Sequence, residues 1–184
     1  MAPATQFSPA QRMLHWLMAA MILAMLFIGI GMVSTLSPRY KILVDIHKPL
    51  GMGILLLAAI RLMMRWRRGT PPLPADLPGW QAVAAKASHW LLYALMLALP
   101  LIGWSMLSAG GYPVVLWPGV NLPALTPHDA HLYTVLRSAH SYLALLLFAT
   151  VLLHLAAALF HALVRHDDIF HSMAGFDIGK HEKS

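Results

Sequence analysis

Four stretches of the chain are apolar and long enough to cross a lipid bilayer as helices. They cover residues 13–35, 47–66, 87–107 and 138–164. A helix needs roughly 20 apolar residues to span about 30 Å of hydrocarbon. The sequence is 59% apolar and 11% charged, whereas soluble domains carry about 45–50% apolar and about 25% charged residues. We therefore predict an all-α integral membrane four-helix bundle, formed by residues 1–184 as a single domain.

The distribution of basic residues predicts the orientation of the bundle, because Lys and Arg are in excess in the cytoplasmic loops of membrane proteins. With a cytoplasmic N-terminus, nine of the 13 basic residues lie on the cytoplasmic side: Arg12, Arg61, Arg65, Arg67, Arg68, Lys86, Arg165, Lys180 and Lys183. The other four lie opposite: Arg39, Lys41, Lys48 and Arg137. We therefore expect both termini in the cytoplasm. The net charge of +6 then reflects these loops, and no nucleic-acid partner is expected.

Proline pairs predict where the helices begin, because Pro is favoured at the first helical position and a preceding hydroxyl can cap free amides. The starts of the first, second, third and fourth helices are predicted at Ser8-Pro9, Ser37-Pro38, Pro78-Gly79 and Thr126-Pro127. The segment 110–127 is rich in Pro and Gly, so we predict an ordered external loop there instead of a further span.

Histidines are the only abundant soft ligands, because the chain has 11 His and no Cys. The lack of Cys excludes disulfides, iron–sulfur clusters and thioether-attached haem. Five histidines lie in or close to the predicted spans: His15, His47, His89, His140 and His154. An ionisable side chain inside a span costs a few kcal/mol on insertion scales, so each of them is a functional candidate.

The spacing of these histidines predicts two ligand pairs. His140 and His154 are 14 residues apart, which places them within about 40° of one face and about 21 Å apart along a helix. From the topology, His47 can meet His140 at one depth, and His15 can meet His154 at the other. His89 lies on the same half of the bundle as His15 and is the alternative partner of His154.

Haem is the group that best fits two imidazoles in an apolar bundle, because it needs only two axial nitrogens and a wide apolar slot. Catalytic zinc usually takes three protein ligands with an acid or base nearby, and the nearest carboxylate to these histidines is Asp45. We predict two haem b groups, bound by His15 with His154 and by His47 with His140. A non-haem metal-binding membrane protein is the alternative from another class.

An internal repeat adds one more candidate. The pattern basic-x-x-His-Trp begins at Arg12 and again at Lys86, and Arg61 follows His47 at the same spacing that separates His140 from His154. Two hairpins of one ancestral design would give this pattern. Arg61 then stands where the repeat would place a further ligand, and we expect it to contact haem propionates or lipid headgroups.

These features together resemble the bacterial cytochrome b-561 family of di-haem membrane proteins over residues 12–173. The residues that carry the resemblance are His15-Trp16, His47-Lys48-Pro49-Leu50-Gly51, Arg61, Arg65, Thr70-Pro71-Pro72, His89, Tyr93, Leu99-Pro100, Gly103, His140 and His154. The family's bis-histidine pattern implies His15 with His154 and His47 with His140 as axial ligands. The resemblance also implies a multi-pass protein of the bacterial inner membrane, in contact with lipid.

The resemblance extends to function. Some members of the family are similar to superoxide oxidases, which pass an electron from periplasmic superoxide through both haems to ubiquinone at the cytoplasmic face. That activity would make the chain a superoxide:ubiquinone oxidoreductase with no catalytic side chain of its own. His161 is similar in position to a quinone-contacting histidine, and Lys86 is its expected basic neighbour.

A second functional hypothesis within the same class concerns the electron donor. The chain is then the membrane-anchor cytochrome b subunit of a dehydrogenase or hydrogenase, and its donor is a protein instead of a small molecule. The loop 110–137, which carries His128 and His131, would be the docking surface. A stand-alone enzyme and an anchor subunit both use two haems and quinone.

Overall fold

The computed structural model describes residues 7–74 and 76–175. Four helices are long and apolar enough to cross a membrane. They are α1 (Pro9–Ser34), α2 (Arg39–Arg68), α3 (Gly79–Ala109) and α4 (Ala130–Phe160). A π-helical turn, His161–Arg165, extends α4 and is followed by the short helix α5 (Asp168–Ala174). The prediction of an all-α four-helix membrane protein is confirmed.

The four long helices alternate in direction, so the bundle has two distinct ends. The described chain starts and finishes at one end, which we call the terminal side; it also holds the connection from α2 to α3. The other end holds the connections from α1 to α2 and from α3 to α4, and we call it the hairpin side. The two predicted histidine pairs, which we call the two histidine levels, lie towards different ends: His47 with His140 towards the hairpin side, and His15 with His154 towards the terminal side.

Two helix starts are found where the sequence predicts them. Ser8 caps α1, because its side chain accepts from the Gln11 backbone N–H and the Gln11 side-chain oxygen accepts from the Ser8 backbone N–H. Pro78 immediately precedes α3. The second helix begins just after its predicted site, at Arg39, and the Ser37 hydroxyl accepts from the Arg39 amide at 3.3 Å.

The predicted start of the fourth helix at Thr126-Pro127 is wrong. Helix α4 begins at Ala130, and the Asp129 carboxylate accepts from the Leu132 amide at 2.9 Å. A carboxylate is at least as good a helix cap as a Thr hydroxyl, and Asp129, which follows Thr126 in the chain, is the residue that caps α4. The Thr126 hydroxyl instead donates to the Ser105 carbonyl at 3.2 Å and ties the loop to α3.

The segment between α3 and α4 contains a small β-hairpin and no further span. Strands β1 (Val114–Trp117) and β2 (Val120–Leu122) pair antiparallel. The turn that joins them contains Gly119 at φ +86°, which a residue with a side chain rarely adopts. The Trp104 indole donates to the Pro123 carbonyl at 2.8 Å, so the hairpin is folded back on α3. The prediction of an ordered external loop is confirmed in outline, whereas the strands were not foreseen.

The core is built from contacts between helices that follow one another along the chain. Backbones approach closely between α1 and α2, α2 and α3, and α3 and α4, and within the described chain α4 makes no comparable approach to α1 or α2. The larger buried cluster comprises Leu14, Met18, Ile22, Ile54, Ala58, Tyr93 and Met96. The smaller one comprises Leu95, Leu99 and Leu147. Helix α4 therefore faces α1 and α2 across a gap that side chains bridge.

Candidate functional site

One histidine pair lies towards the hairpin side of that gap. His47 of α2 faces His140 of α4, with ring centroids 6.1 Å apart and ring planes 64° apart. Both residues are within the first three turns of their helices, which both begin at this end and run in the same direction. The structure therefore brings together the pair that the sequence predicts.

A second cluster lies towards the terminal side and contains three imidazoles. The His154 ring centroid is 6.3 Å from that of His15 and 5.5 Å from that of His89. The ring planes make angles of 75° and 64° in these two pairs. His15 comes from α1 and His89 from α3, so both alternatives for the partner of His154 are present around one ring.

The two clusters fit a group that is bound through two opposed imidazoles. With metal–nitrogen bonds of about 2 Å, two imidazoles on opposite sides of one metal ion place their ring centroids about 6 Å apart. Nδ1 of His15, His47 and His140 is buried and has no hydrogen-bond partner among the residues that the structure describes. Within those same residues, no three His, Cys, Asp or Glu side chains are arranged to hold a bare metal ion.

A glycine of α3 makes room for the His140 ring. A Cβ atom placed on Gly103 would lie 3.3 Å from Cε1 and 3.5 Å from Nδ1 of His140. A contact of this length is tighter than ordinary van der Waals packing. The imidazole is therefore held directly against the backbone of α3, and any larger residue at position 103 would press on it.

A guanidinium without an acidic partner lies near the three-histidine cluster. The Cζ atom of Arg61 is 5.9 Å from the centre of the Tyr93 ring, and in the described part of the chain Arg61 forms no ion pair. Tyr93 follows His89 by one turn of α3, so Arg61 lies at the edge of this cluster. A cation inside an apolar bundle is costly unless an anion or an aromatic face compensates it. Tyr93 supplies part of that compensation.

The terminal end of α4 carries a cluster of charged side chains that the sequence analysis did not foresee. Nδ1 of His161 is 2.6 Å from Oδ2 of Asp167, and Nε of Arg165 donates to the same oxygen at 3.0 Å. Nη2 of Arg165 reaches Asp76 at 2.6 Å. Burial opposes ionisation of Asp167, but hydrogen bonds from His161, Arg165 and the Ile169 amide outweigh it and hold the pKa of the carboxyl below its usual value.

The local backbone explains why this pairing could not be inferred from sequence spacing. Six residues along a regular α-helix correspond to a rotation of about 240°, so His161 and Asp167 would diverge. The π-helical turn and His166, at φ 52°, redirect the chain. The amides of His166 and Asp167 both donate to the His161 carbonyl, the latter at 3.4 Å.

The remaining predicted residues are exposed or partly neutralised. Lys86 is exposed on α3, and its contact with a quinone stays a prediction. On the hairpin side, Lys41 and Lys48 pair with Asp45 at 3.7 and 3.3 Å. Arg137 donates to the Tyr133 hydroxyl at 2.9 Å.

Opposed imidazoles in a four-helix membrane bundle fit the class of membrane b-type cytochromes. The chain belongs to the prokaryotic cytochrome b561 family, whose sequence profile matches residues 6–176. It is therefore a multi-pass protein of the bacterial inner membrane that binds b-type haem and transfers electrons.

Individual relatives extend over most of the chain. Cytochrome b561 homolog 1 of Escherichia coli (strain K12) is 27% identical over 173 residues, which are 89% of this chain and 93% of the relative. Cytochrome b561 homolog 2 of the same strain is 29% identical over 166 residues, 88% and 87% of the two chains. A probable superoxide oxidase CybB of Yersinia pestis is 31% identical over 123 residues, 67% and 69% of the two chains.

Proposed function

We propose that the protein holds two haem b groups, one at each histidine level, and conducts electrons across the membrane from a donor on the hairpin side to quinone on the terminal side. The observation that carries this proposal is that α4 presents His140 and His154 at two depths, each facing an imidazole of another helix. The excess of basic residues supports a cytoplasmic terminal side.

The axial ligands that we propose are His47 with His140 on the hairpin side and His15 with His154 on the terminal side. The similar ring separations, 6.1 and 6.3 Å, support this assignment. The Nδ1 atom of His15 is buried without a partner among the described residues, as are those of His47 and His140. His89 then lies beside the His154 ring as a neighbour.

The side chains have a limited chemical task in this function. Haem, when bound, supplies a one-electron iron couple, and two axial imidazoles favour electron transfer over oxygen activation. The histidines hold the group at a fixed depth, and the apolar bundle excludes water from it. Arg61 is proposed to contact a propionate of the terminal-side haem, because the spans offer it no carboxylate and the propionate is an anion.

The proposed donor is superoxide and the proposed acceptor is ubiquinone. The similarity to a protein named as a probable superoxide oxidase supports this donor. Two superoxide ions would give up two electrons to become oxygen, and ubiquinone would take these electrons and two protons to become quinol. His161 is proposed to contact the quinone, with Lys86 as a basic neighbour.

A second candidate function is that of a membrane-anchor subunit fed by a protein donor. The observation that favours it is the cluster of exposed apolar side chains around the β-hairpin. Tyr112, Trp117 and Leu125 are 56%, 56% and 47% exposed. An aromatic surface of this kind is enriched at protein interfaces.

Removing single histidines tests the ligand assignment. His47→Ala or His140→Ala is expected to remove the hairpin-side haem, and His15→Ala or His154→Ala the other, so each variant retains one haem per chain. His89→Ala and the exposed control His131→Ala are expected to retain both. The measurement is haem per protein by the pyridine haemochrome assay. Loss of a haem in His89→Ala with retention of both in His15→Ala would transfer the ligand role to His89.

Gly103→Ala tests whether His140 touches the hairpin-side haem. The added methyl group must displace the ring by a few tenths of an ångström, and an off-rotamer side chain costs about 0.5–1.5 kcal/mol. We expect the midpoint potential of that haem alone to shift by tens of millivolts, where about 59 mV is a tenfold change for one electron. Gly29→Ala is the control, since nothing lies within 4 Å of its added Cβ. If both variants and the unmodified protein have the same midpoint potentials, His140 is not a ligand of the hairpin-side haem.

Arg61→Leu tests the proposed propionate contact. A nearby cation favours the less positive, reduced iron, so its removal should lower the midpoint potential of the terminal-side haem by tens of millivolts and leave the other haem unchanged. Arg67→Leu is the control, because Arg67 is exposed near the end of the same helix. Two unchanged midpoint potentials in Arg61→Leu would argue against the contact.

Stopped-flow spectroscopy of the purified chain tests the direction and the donor. Superoxide is expected to reduce the haems, superoxide dismutase to abolish that reduction, and a short-chain ubiquinone to reoxidise the reduced protein. If superoxide does not reduce the haems but a co-purifying soluble subunit does, superoxide is not the donor. The function of a membrane-anchor subunit would then be favoured. Absence of reoxidation by quinone would contradict the proposed acceptor.

A further inference from the structure

The charged cluster at the end of α4 has a geometry that haem binding does not use. His161 and Asp167 are both 14% exposed at the side chain, and the contact between them is 2.6 Å long. His161 follows the proposed ligand His154 by seven residues, about 10 Å along the helix axis. The pair thus lies between the terminal-side histidines and the aqueous edge of the bundle.

The roles of the two groups follow from their surroundings. Asp167 accepts from Nε of Arg165 and from the Ile169 amide, and both bonds favour its ionised form. An ionised carboxylate is only an acceptor, so the shared hydrogen is assigned to Nδ1 of His161. Nε2 is then the nitrogen of the ring that is left for a ligand.

Of the other charged groups at this end, Arg165 contacts Asp167 directly. Arg165 bridges Asp167 to Asp76, which lies in the connection between α2 and α3 and is 76% exposed at the side chain. A Cβ atom on Gly175 would lie 2.7 Å from Nη1 of Arg12, so Arg12 approaches the chain just after α5. Because Arg165 contacts both acids, it ties α4 to the connection between α2 and α3.

We propose that Asp167 is a positioning residue for quinone reduction: it holds the hydrogen of His161 on Nδ1, so that Nε2 faces a quinone oxygen and can pass it a proton taken up from water. This inference rests on the proposed function, in which haem delivers electrons to quinone at this end. Uptake of two electrons by the quinone requires two protons. His161 takes one of them up from water at Nε2 and passes it to the quinone oxygen, and water supplies the other directly.

A carboxylate that orients a histidine is a recurrent arrangement for proton transfer. The carboxylate holds one ring nitrogen, sets the tautomer and favours the charged ring, while the opposite nitrogen exchanges the proton. Proton transfer by a positioned side chain typically contributes about 10²–10⁴-fold to a rate. Loss of the carboxylate should therefore slow quinone reduction without altering either haem.

Asp167 also caps α5, since its side chain accepts from the Ile169 amide. Asp167→Ser is the first test variant, because Ser is as good a helix N-cap as Asp but is too short to keep the His161 contact. The first readout is ¹⁵N-histidine NMR of the dithionite-reduced protein, with the His161 signals assigned by their loss in His161→Gln. The Nδ1–H tautomer is expected to dominate in the unmodified protein, and Asp167→Ser is expected to shift the ring towards Nε2–H. Asp129→Ser is the matched control, since Asp129 caps α4 at the other end of the bundle.

The second readout is the single-turnover reoxidation of reduced haem by decylubiquinone. Asp167→Ser is expected to slow it about tenfold or more, with both midpoint potentials and the haem content unchanged, and Asp129→Ser is expected to match the unmodified protein. A second pair, Asp167→Glu and Asp167→Gln, has matched side-chain length. The Glu variant retains the carboxylate and is expected to react faster than the Gln variant, so the test does not depend on the folding of one variant.

The outcomes separate this inference from the proposed function. If decylubiquinone does not reoxidise the unmodified protein, the proposed acceptor fails. If it does, and Asp167→Ser reacts at the unmodified rate, the inference is overturned whether or not the His161 tautomer changes. Equal rates for Asp167→Glu and Asp167→Gln would overturn it as well.

Discussion

The meeting of imidazoles from different helices inside an apolar bundle is the interaction on which the rest of the structure depends. Each imidazole is an ionisable group at a depth where lipid offers no hydrogen bonds. The structure places His140 and His154 on one helix and opposes each with a histidine of another helix. These contacts occur where the backbone of α4 stands apart from those of α1 and α2. The histidine side chains therefore extend into the gap between these helices.

The two ends of the bundle carry different charged and aromatic side chains. At the hairpin side, Lys41 and Lys48 share Asp45, and the β-hairpin is folded against α3. At the terminal side, His15, His89 and His154 lie together with Arg61 near them. The His161–Asp167 pair lies closer to the end of the bundle. This asymmetry is consistent with electron transfer in one direction. The donor, a small anion or a protein, would bind at the hairpin side, and the acceptor, which takes up protons, at the terminal side.

The parts of the fold that the sequence predicts correctly are those with a long periodic signal. The four spans and the depths of the histidines followed from apolar length and helical spacing, and the start of α1 followed from a local capping pattern. The start of α4 was missed because Asp129 competes with Thr126 as a cap. The contact between His161 and Asp167 depends on a π-helical turn and on His166 in the left-handed region, which have no periodic signature. The choice between His15 and His89 was open in the sequence, because the repeat gives both the same local motif.

The central claim is that two haem b groups occupy the two histidine levels, each with two imidazole ligands. Haem and protein should be quantified in the purified, unmodified chain, and electron paramagnetic resonance recorded on the oxidised form. The account predicts two haems per chain and two distinct low-spin signals typical of bis-imidazole iron. A single haem per chain, or a dominant high-spin signal from five-coordinate iron, would contradict it.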